Sequence, residues 1–387
     1  MSKKQLAGLF ICNLAIWTLG NGLLPLLPVC AKQLGAQSAA TGYYMAIVYV
    51  AIAASTFTAG WLSDKLQRRK MLLLLVGICL IPSTAFLGLV QSFALLIVVS
   101  AVTWFLGGVG LTLVGILAGI FAKQSERGKV FGTLALTGAL GALIGGLTTG
   151  PIADLYGYPT MFTIMGTFIA VVVLGALLLE DRAVTKAQPR PEAVIKHKPE
   201  LGNRFFLLII ASTIIGIVSF TAVLGTSLTM IGQRFDSTAI ASTMAAGGAI
   251  ALPIPRILGG LSDRIGRKRL LVLTYVMGTL GLLILAWSTS IWHFWLASAL
   301  RSAMFFSNNG IGSALVTDLV SKESLGKGIA LFNSTAWLGG ILGFGISGYA
   351  IQNIGIVPTL VIGSFLPLLA ITLVMPIQRG KLARVPA

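Results

Sequence analysis

The sequence contains little charge and few groups suited to chemistry. Charged residues make up 10% of its 387 residues, against 56% hydrophobic residues, whereas a soluble domain carries about 25% charged residues. The three cysteines lack the spacing of a metal site or a disulfide framework. The sequence has neither the HExxH pair of a zinc protease nor a nucleotide-binding P-loop. The low charge excludes a water-soluble domain, and the missing P-loop argues against an ATP-driven pump. Without the other motifs, we expect no enzyme activity, metal or cofactor.

Long apolar runs dominate the sequence instead. Each run has roughly 20 apolar residues or more, which is enough to cross a bilayer core of about 30 Å. We therefore predict an all-α membrane protein embedded in a lipid bilayer. Its twelve transmembrane spans, numbered 1 to 12, lie at about 6–30, 38–62, 71–90, 93–121, 129–153, 159–179, 204–232, 238–262, 270–287, 292–319, 326–351 and 355–377.

The basic residues are distributed unevenly between the gaps that separate these spans. The formal net charge is +17, and 24 of the 28 Lys and Arg residues lie in alternate gaps, on the side that holds both termini. Only Lys32 and Arg234 lie in the other gaps, while Arg256 and Arg301 lie inside apolar runs. Because basic loops stay in the cytoplasm, we predict a bacterial inner-membrane protein with both termini cytoplasmic. The charge therefore orients the protein, and we predict no nucleic-acid partner.

The chain repeats itself after about half its length. Residues 60–70 read GWLSDKLQRRK and residues 259–269 read GGLSDRIGRKR. A repeat of this length, with six spans in each copy, is typical of secondary transporters built from two bundles. We predict an N-terminal six-helix bundle over 1–180, a cytoplasmic linker over 181–203, and a C-terminal six-helix bundle over 204–387.

The repeated segment resembles the loop motif between the second and third helices of the major facilitator superfamily, Gly-x-Leu-(small)-Asp-basic-x-Gly-basic-basic. The second copy fits this pattern fully. The first departs at Gln67, where the family favours Gly; a residue with a side chain tolerates positive φ poorly, so the two turns are expected to differ in shape. The resemblance implies two pseudo-symmetric six-helix bundles and transport by alternating access.

The charged turns are predicted to form a conformational latch. Asp64 or Asp263 can face a helix N-terminus, where the helix dipole favours an anion. The arginines that follow can pair with a carboxylate at the end of a neighbouring helix, in a latch that closes only when the cytoplasmic side is shut. The alternative is that these charges merely hold a solvated turn. The predicted latch residues are Gly60, Asp64, Arg68, Arg69, Glu126, Gly259, Asp263, Arg267 and Asp318.

Two further segments are similar to drug-efflux members of the same superfamily. Residues 20–28, GNGLLPLLP, resemble the opening helix of small bacterial efflux proteins. The glycines of span 5 resemble the glycine-proline motif of antiporters, although Gly146 and Thr149 replace an expected Pro and Gly, and close helix packing explains the same glycines. The arginine of proton-coupled exporters is missing from span 4, where Thr103 and Trp104 stand. The resemblance implies efflux and leaves proton antiport open.

Polar residues inside apolar helices are costly, so their positions suggest a cavity. Asn13, Trp17 and Asn21 recur at intervals of four residues on one side of span 1. In the superfamily, spans 1, 4, 7 and 10 line the central cavity, and the polar and aromatic stripes here fall on such spans. For each residue, an interhelical hydrogen bond or a lipid contact is the alternative. The predicted cavity residues are Asn13, Trp17, Asn21, Trp104, Arg301, Phe305, Asn308, Asn333 and Trp337.

Arg301 leads to a second candidate function. A charge near mid-membrane costs about 2.5–3.5 kcal/mol, and no Asp or Glu lies deep in any predicted span. The guanidinium therefore needs carbonyls, water, an outward-reaching conformation or an anionic ligand. The sequence thus predicts either an exporter of a small amphipathic compound or drug, or an organic-anion or metabolite carrier working by uniport, exchange or proton-linked transport. We expect a monomer whose partners are a small-molecule substrate, the bilayer and, in a coupled mechanism, a proton.

Overall fold

The spans are α-helices joined by short turns. A computed structural model describes residues 1–123, 125–180, 201–254, 257, 261, 264–321 and 324–377, and no β-strand occurs among them. The predicted linker over 181–203 lies outside these residues up to position 200. The helices of the twelve spans are Lys3–Leu23 with Leu27–Gln33 (span 1), Ser38–Leu66 (2), Arg69–Phe86 (3), Phe93–Phe121 (4), Arg127–Phe168 (5 and the start of 6), Ala170–Leu177 (6), Asn203–Gly232 (7), Ser237–Ala251 (8), Arg267–Ala286 (9), Ile291–Leu319 (10), Leu325–Ile354 (11), and Ile356–Gly363 with Leu366–Val374 (12).

The helix lengths fit a polytopic membrane protein. Nine described helical segments are long and apolar enough to cross a membrane. One of them, Arg127–Leu177, has 51 residues and contains both span 5 and span 6. Span 8, whose far end is described only in part, and span 10, which carries Arg301 and Asn308, complete the twelve. The predicted all-α fold of two six-helix bundles is confirmed.

A single glycine turns the chain between spans 5 and 6, and another does so between spans 11 and 12. Gly157 has φ 80° and ψ 161°, and Gly355 has φ 91° and ψ 166°. An L-residue with a side chain rarely adopts such angles. A proline follows each corner, Pro159 and Pro358, and helps to start the next helix. The two halves therefore reverse the chain with the same device.

Span 1 and span 12 are interrupted, although each was predicted as one unbroken run. Span 1 breaks over residues 24–26, which include Pro25, and Pro28 stands at the start of the next short helix. Span 12 breaks before Pro367, also in the first turn of its second helix. Proline lacks the backbone N–H that an uninterrupted helix requires. The prolines in the apolar runs thus account for both breaks.

The two halves pack together along two seams, one between spans 5 and 8 and the other between spans 2 and 11. Both seams are lined by small residues that bring backbones into contact. A Cβ on Gly42 would lie 2.6 Å from Cα of Gly348, and a Cβ on Gly146 would lie 2.5 Å from the backbone nitrogen of Ala245. Small residues allow such close approach of membrane helices.

The protein has two faces that differ in charge and in contact. We call the end with Met1 and the 66–69 turn the basic face, and the end with the Gly157 and Gly355 corners the opposite face. At the opposite face, Gln352 of span 11 donates to Gln37 Oε1 at 2.8 Å and accepts from the Ala39 backbone at 2.9 Å. At the basic face, a Cβ on Gly60, Gly128 or Gly326 would meet no atom within 4 Å. The described contacts between the halves therefore lie at the opposite face and at mid-depth.

Candidate functional site

A pocket lies at mid-depth where the N-terminal half meets span 11. It encloses about 570 Å³ of empty space, its open mouth included. Four of the nine predicted cavity residues line it: Trp17, Asn21, Trp104 and Trp337. The other lining residues are Ile16, Leu19, Gly20, Leu24, Tyr49, Ile52, Thr103, Gly107, Gly108 and Leu111. The lining is therefore mostly apolar and aromatic, as in most small-molecule sites.

The polar groups of this pocket are few and uncharged. Asn21 Nδ2 donates to the Gly138 carbonyl at 3.1 Å, which leaves the amide oxygen of Asn21 available as an acceptor. The Thr103 hydroxyl donates to the Val99 carbonyl of its own helix at 2.9 Å. Among the described residues, no carboxylate or ammonium group lines the pocket. Its chemistry is thus set by rings and neutral hydrogen-bonding groups.

Tyr49 joins the pocket to an aromatic cluster that crosses between the halves. Its ring lies 4.6 Å from Phe220, 5.2 Å from Phe344 and 6.2 Å from Trp337, measured between centroids. Phe305, a predicted cavity residue, packs on Phe220 at 5.9 Å and lies outside the pocket lining. The sequence analysis missed Tyr49, because an aromatic residue in an apolar run carries no signal that separates a pocket from a lipid contact.

Asn13 and Asn308 hold helices together and are not part of the pocket lining. Asn13 Nδ2 donates to the Thr137 hydroxyl at 2.7 Å and to the Leu134 carbonyl at 3.2 Å. Asn308 Oδ1 accepts from the Tyr275 hydroxyl at 2.7 Å and from the Ser212 hydroxyl at 3.2 Å. Both asparagines are buried. In this structure their side chains make the interhelical hydrogen bonds that were the alternative to substrate contact.

Arg301 and Asn333 were also predicted as cavity residues; Arg301 is partly buried, and Asn333 is exposed. Arg301 Nη2 donates to Ser302 Oγ at 3.0 Å, and this is the one hydrogen bond of its guanidinium within the described part of the chain. Its Nη2 atom also lies beside span 8, 3.3 Å from the position that a Cβ on Gly247 would occupy. Neither Arg301 nor Asn333 lines the pocket. The guanidinium therefore packs beside span 8 and outside the pocket lining.

The second charged turn forms an ion pair within the C-terminal half. Arg267 Nη1 donates to Asp318 Oδ2 at 2.6 Å and to the Ala314 carbonyl at 2.9 Å. The pair joins the start of span 9 to the end of span 10, and both partners belong to one half. The ion pair therefore forms within the C-terminal half and requires no residue of the other half. Gly259 and Asp263, the other predicted latch residues of this turn, lie outside the described residues.

The first charged turn is arranged differently. Arg69 Nε donates to Ser63 Oγ at 2.8 Å, while Asp64 and Arg68 are exposed. Glu126 was expected to pair with one of these arginines. It instead accepts from the ammonium group of Met1 at 2.9 Å, and this hydrogen bond and the positive charge lower the pKa of its carboxyl.

The two turns also differ in backbone shape. Gln67 ends span 2 in the left-handed region at φ 52° and ψ 6°, whereas Gly266 has φ 89° and ψ 141°. A side chain is compatible with the first conformation more readily than with the second. The substitution of Gly by Gln at position 67 thus accompanies a different turn, as the motif comparison suggested.

A carboxylate at the opposite face reaches from one half to the other. Asp154, just beyond the apolar part of span 5, accepts from the backbone N–H groups of Ser237 and Thr238 at the first turn of span 8. Tyr158 and Ser237 also share a hydrogen bond of 2.9 Å between their hydroxyls. Nothing in the sequence around Asp154 indicates a partner about 80 residues away.

Comparison with known proteins agrees with this architecture. The sequence model of the Major Facilitator Superfamily matches residues 9–312 and 254–386. The multi-drug resistance efflux pump PmrA of Streptococcus pneumoniae is 26% identical over 365 residues, which cover 86% of this chain and 87% of that protein. The multidrug resistance protein MdtG of Citrobacter koseri is 26% identical over 318 residues, covering 78% and 76%.

Solved structures share the fold at low identity. The nucleoside transporter NupG superposes with a TM-score of 0.79 at 16% identity, covering 97% of this chain and 98% of that one. A bacterial homologue of the human lysosomal transporter Spinster, solved in an inward-facing and unoccupied conformation, gives a TM-score of 0.74 at 14% identity, covering 97% of each chain. The family match across the chain and the twelve-span architecture lead to one conclusion: this protein is a transporter, not an enzyme, and belongs to the Major Facilitator Superfamily.

Proposed function

We propose that this protein exports small amphipathic compounds from the cytoplasm by alternating access. The observation that carries the proposal is the aromatic pocket at mid-depth, lined from both halves, in a molecule whose halves meet at the opposite face. In this proposal the basic face is cytoplasmic in the bacterial inner membrane, consistent with its excess of Lys and Arg. The pocket would then load from the cytoplasm and discharge outward after the halves rock. The names of PmrA and MdtG, both multidrug proteins, support this direction.

The driving force in this proposal is an ion gradient, with a proton as the first candidate. In the sequence, all eleven acidic residues fall outside the middle of the predicted spans, so a coupling carboxylate would have to work from the edge of the membrane. The described acids that contact another span are Asp154, Asp318 and Glu180, which accepts from Gln5 Nε2 of span 1 at 3.4 Å. The proposed unit is a single chain, because both bundles and the pocket between them are contained in it.

The test is transport by the purified full-length protein in inside-out liposomes that carry an uncharged amphipathic coumarin dye outside. We expect dye uptake into the lumen that exceeds uptake by empty liposomes. Uptake is measured with and without an imposed pH gradient, to show whether a proton gradient drives it. A Trp104→Ala variant should transport less dye, whereas the surface variant Trp292→Ala should match the unmodified protein. Uptake equal to that of empty liposomes under every gradient would refute export.

A second candidate function rests on Arg301. Its guanidinium has five N–H donors and one described hydrogen-bond partner, Ser302. This observation favours an organic-anion or metabolite carrier in which the substrate's anionic group approaches Arg301 from the pocket. Liposomes loaded with radiolabelled benzoate distinguish this function: an Arg301→Ala variant should lose benzoate exchange, and retained exchange would exclude the carrier.

A further inference from the structure

The pocket presents more hydrogen-bond donors than its protein surroundings can satisfy. An indole N–H is a donor only, and three indoles line the pocket, those of Trp17, Trp104 and Trp337. None of these N–H groups has an acceptor within the described part of the chain. They are also absent from the set of sealed, unpaired polar atoms, which comprises the hydroxyls of Thr18, Thr84, Ser219, Thr229 and Thr279. Each indole N–H therefore remains accessible to a ligand.

The same pocket offers no negative charge to a cation. Spans 1, 4 and 11 contain no Asp or Glu, and Asp64 of span 2 lies 15 positions beyond Tyr49, about 22 Å along the helix. The acceptors in the lining are neutral, the Asn21 amide and the Thr103 hydroxyl. A cation in this pocket would lack a counter-charge, and attraction to ring faces offsets only part of its desolvation.

The charge that lies near the pocket is positive. Phe305, one helical turn from Arg301, packs on Phe220, which packs on Tyr49 of the pocket wall. Neither of the ion pairs found among the described residues includes Arg301. In a low-dielectric interior a charge acts over several ångströms with little screening. A ligand beside Tyr49 therefore encounters a positive potential, which favours acceptor oxygens and anions over ammonium groups.

We infer that this pocket selects flat aromatic compounds that are uncharged or anionic and carry hydrogen-bond acceptors, and that it disfavours ammonium cations of the same ring size. The inference rests on the proposed function, because it names the substrate class of the same pocket. The ring of such a compound packs among Trp17, Trp104 and Tyr49, and a carbonyl or carboxylate oxygen accepts from an indole N–H. The indole N–H donors and the positive electrostatic potential therefore select among ligands, while the aromatic ring faces supply affinity for every flat aromatic compound.

A matched naphthalene series tests the selection. Binding of 2-acetylnaphthalene, 2-naphthoate, 2-methylnaphthalene and 2-naphthylmethylammonium is measured by titration calorimetry on the full-length protein in phosphatidylcholine nanodiscs, with empty nanodiscs subtracted. We expect the ketone and the carboxylate to bind at least tenfold more tightly than the ammonium compound. Equal or tighter binding of the ammonium compound would overturn the inference.

Single Trp→Phe variants at positions 17, 104 and 337 keep an aromatic ring and remove the N–H. In at least one of them the affinity for the ketone relative to that for 2-methylnaphthalene should fall about fivefold, the effect of one hydrogen bond. Trp292→Phe, whose side chain is 70% exposed, serves as the control and should change neither. If all three variants leave the ratio of ketone affinity to 2-methylnaphthalene affinity unchanged, the indole N–H groups do not bind the acceptor oxygen and the inference fails.

The outcome for this inference is separate from that for export. Dye export without the expected order in the naphthalene series would leave export standing and overturn the selection. The expected order without any dye transport would support the selection and refute export.

Discussion

Thr238 donates both its backbone N–H and its hydroxyl to the same oxygen of Asp154, at 2.7 and 2.6 Å. Asp154 belongs to the N-terminal half and Thr238 to the first turn of span 8 in the C-terminal half. A carboxylate at this position also meets the positive end of the span 8 helix dipole. The contact therefore holds the halves together at the opposite face through charge, whereas the seams below it rely on backbone packing.

We predict that Asp154→Asn shifts the protein toward opening at the opposite face. Because Asp154 is exposed and screened by solvent, we expect a loss of about 1 kcal/mol, roughly a fivefold change in the ratio of open to closed molecules. The measurement is the distance between spin labels on Gln91→Cys and Thr289→Cys, exposed positions of opposite halves, in a protein without its native cysteines.

Asp236→Asn is the matched control for this prediction. Asp236 caps the same helix by accepting from the Ala239 backbone at 2.7 Å, but it belongs to the C-terminal half itself. Its loss should lower stability without changing the distribution of label distances. If Asp236→Asn opens the protein as much as Asp154→Asn, the effect comes from the helix cap and not from the contact between halves.

Acid should open the same contact. Partial desolvation raises the pKa of Asp154, but hydrogen bonds from Thr238 and Ser237 outweigh it, so the pKa lies below its ordinary value. A depressed pKa means that the contact is stabilised above the ordinary value of about 3.9 and weakens as pH falls below it. The labels should therefore move apart below about pH 4. Tyr158, Asp236 and the exposed Arg234 are the other titratable groups on the elements that meet here, and Asp154→Asn should remove the pH response.

Gly42→Ala should hold the seam between spans 2 and 11 apart. The added Cβ would lie 2.6 Å from Cα of Gly348, and backbone cannot yield as a flexible side chain would, so we expect about 1–3 kcal/mol of strain in the closed state. Gly345→Ala adds the same methyl group to span 11, where it meets Ala46 Cβ at 3.9 Å. Spin-label distances should lengthen in the first variant only. If the spin-label distances in Gly42→Ala equal those of the unsubstituted protein, the helices of this seam are not packed as closely as described.

The Arg267–Asp318 pair should contribute modestly to stability. Its side chains are 34% and 42% exposed, so solvent screens the pair and a coupling energy of about 0.5–1 kcal/mol is expected. A double-mutant cycle with Arg267→Ala and Asp318→Asn, followed by thermal unfolding in detergent at low and high salt, measures it. Arg264→Ala, an exposed neighbour, should show no coupling with Asp318→Asn. A coupling energy that is independent of salt would argue against an ion pair.

Replacement of Asn308 by Ala should destabilise the C-terminal half without weakening ligand binding. Tyr275 and Ser212 would each lose the acceptor they share, and two buried hydroxyls without partners cost about 1–3 kcal/mol. Asn309→Ala, one position along the same helix, should cost less than about 0.5 kcal/mol. Chemical unfolding and naphthalene binding are measured on both variants. If the Asn308→Ala protein is stable but fails to bind the ketone, Asn308 contacts the ligand and belongs to the substrate site.

The sequence predicted the spans well because hydropathy and basic loops report directly on the bilayer. It was less informative about the faces of helices. Asn13, Trp17 and Asn21 recur every four residues, but each step of four turns about 40° further around the helix, so the first and last differ by about 80°. That rotation is enough to place Asn21 in the pocket lining and to direct Asn13 at Thr137 of span 5. Periodicity alone therefore grouped residues that the fold separates.

Contacts between halves could not be predicted, because they depend on three-dimensional docking of distant segments. Glu126 has basic neighbours in the sequence, yet its partner is the ammonium group of Met1. Tyr49 and Asp154 have ordinary sequence surroundings, and their importance appears only when span 11 or span 8 is placed beside them. Polar residues in apolar runs indicate that a partner is needed, but they do not identify it.

The one-residue corners at Gly157 and Gly355 have a practical consequence for the attachment of labels to the opposite face of this protein. Each connection is a single residue between two helices, so an inserted epitope or fluorescent tag there would have to separate the helices. Gln91 and Thr289 are exposed, and the connections around them contain no glycine with positive φ. Epitopes and attachment sites for single-molecule experiments on this face should therefore be introduced first at those two connections.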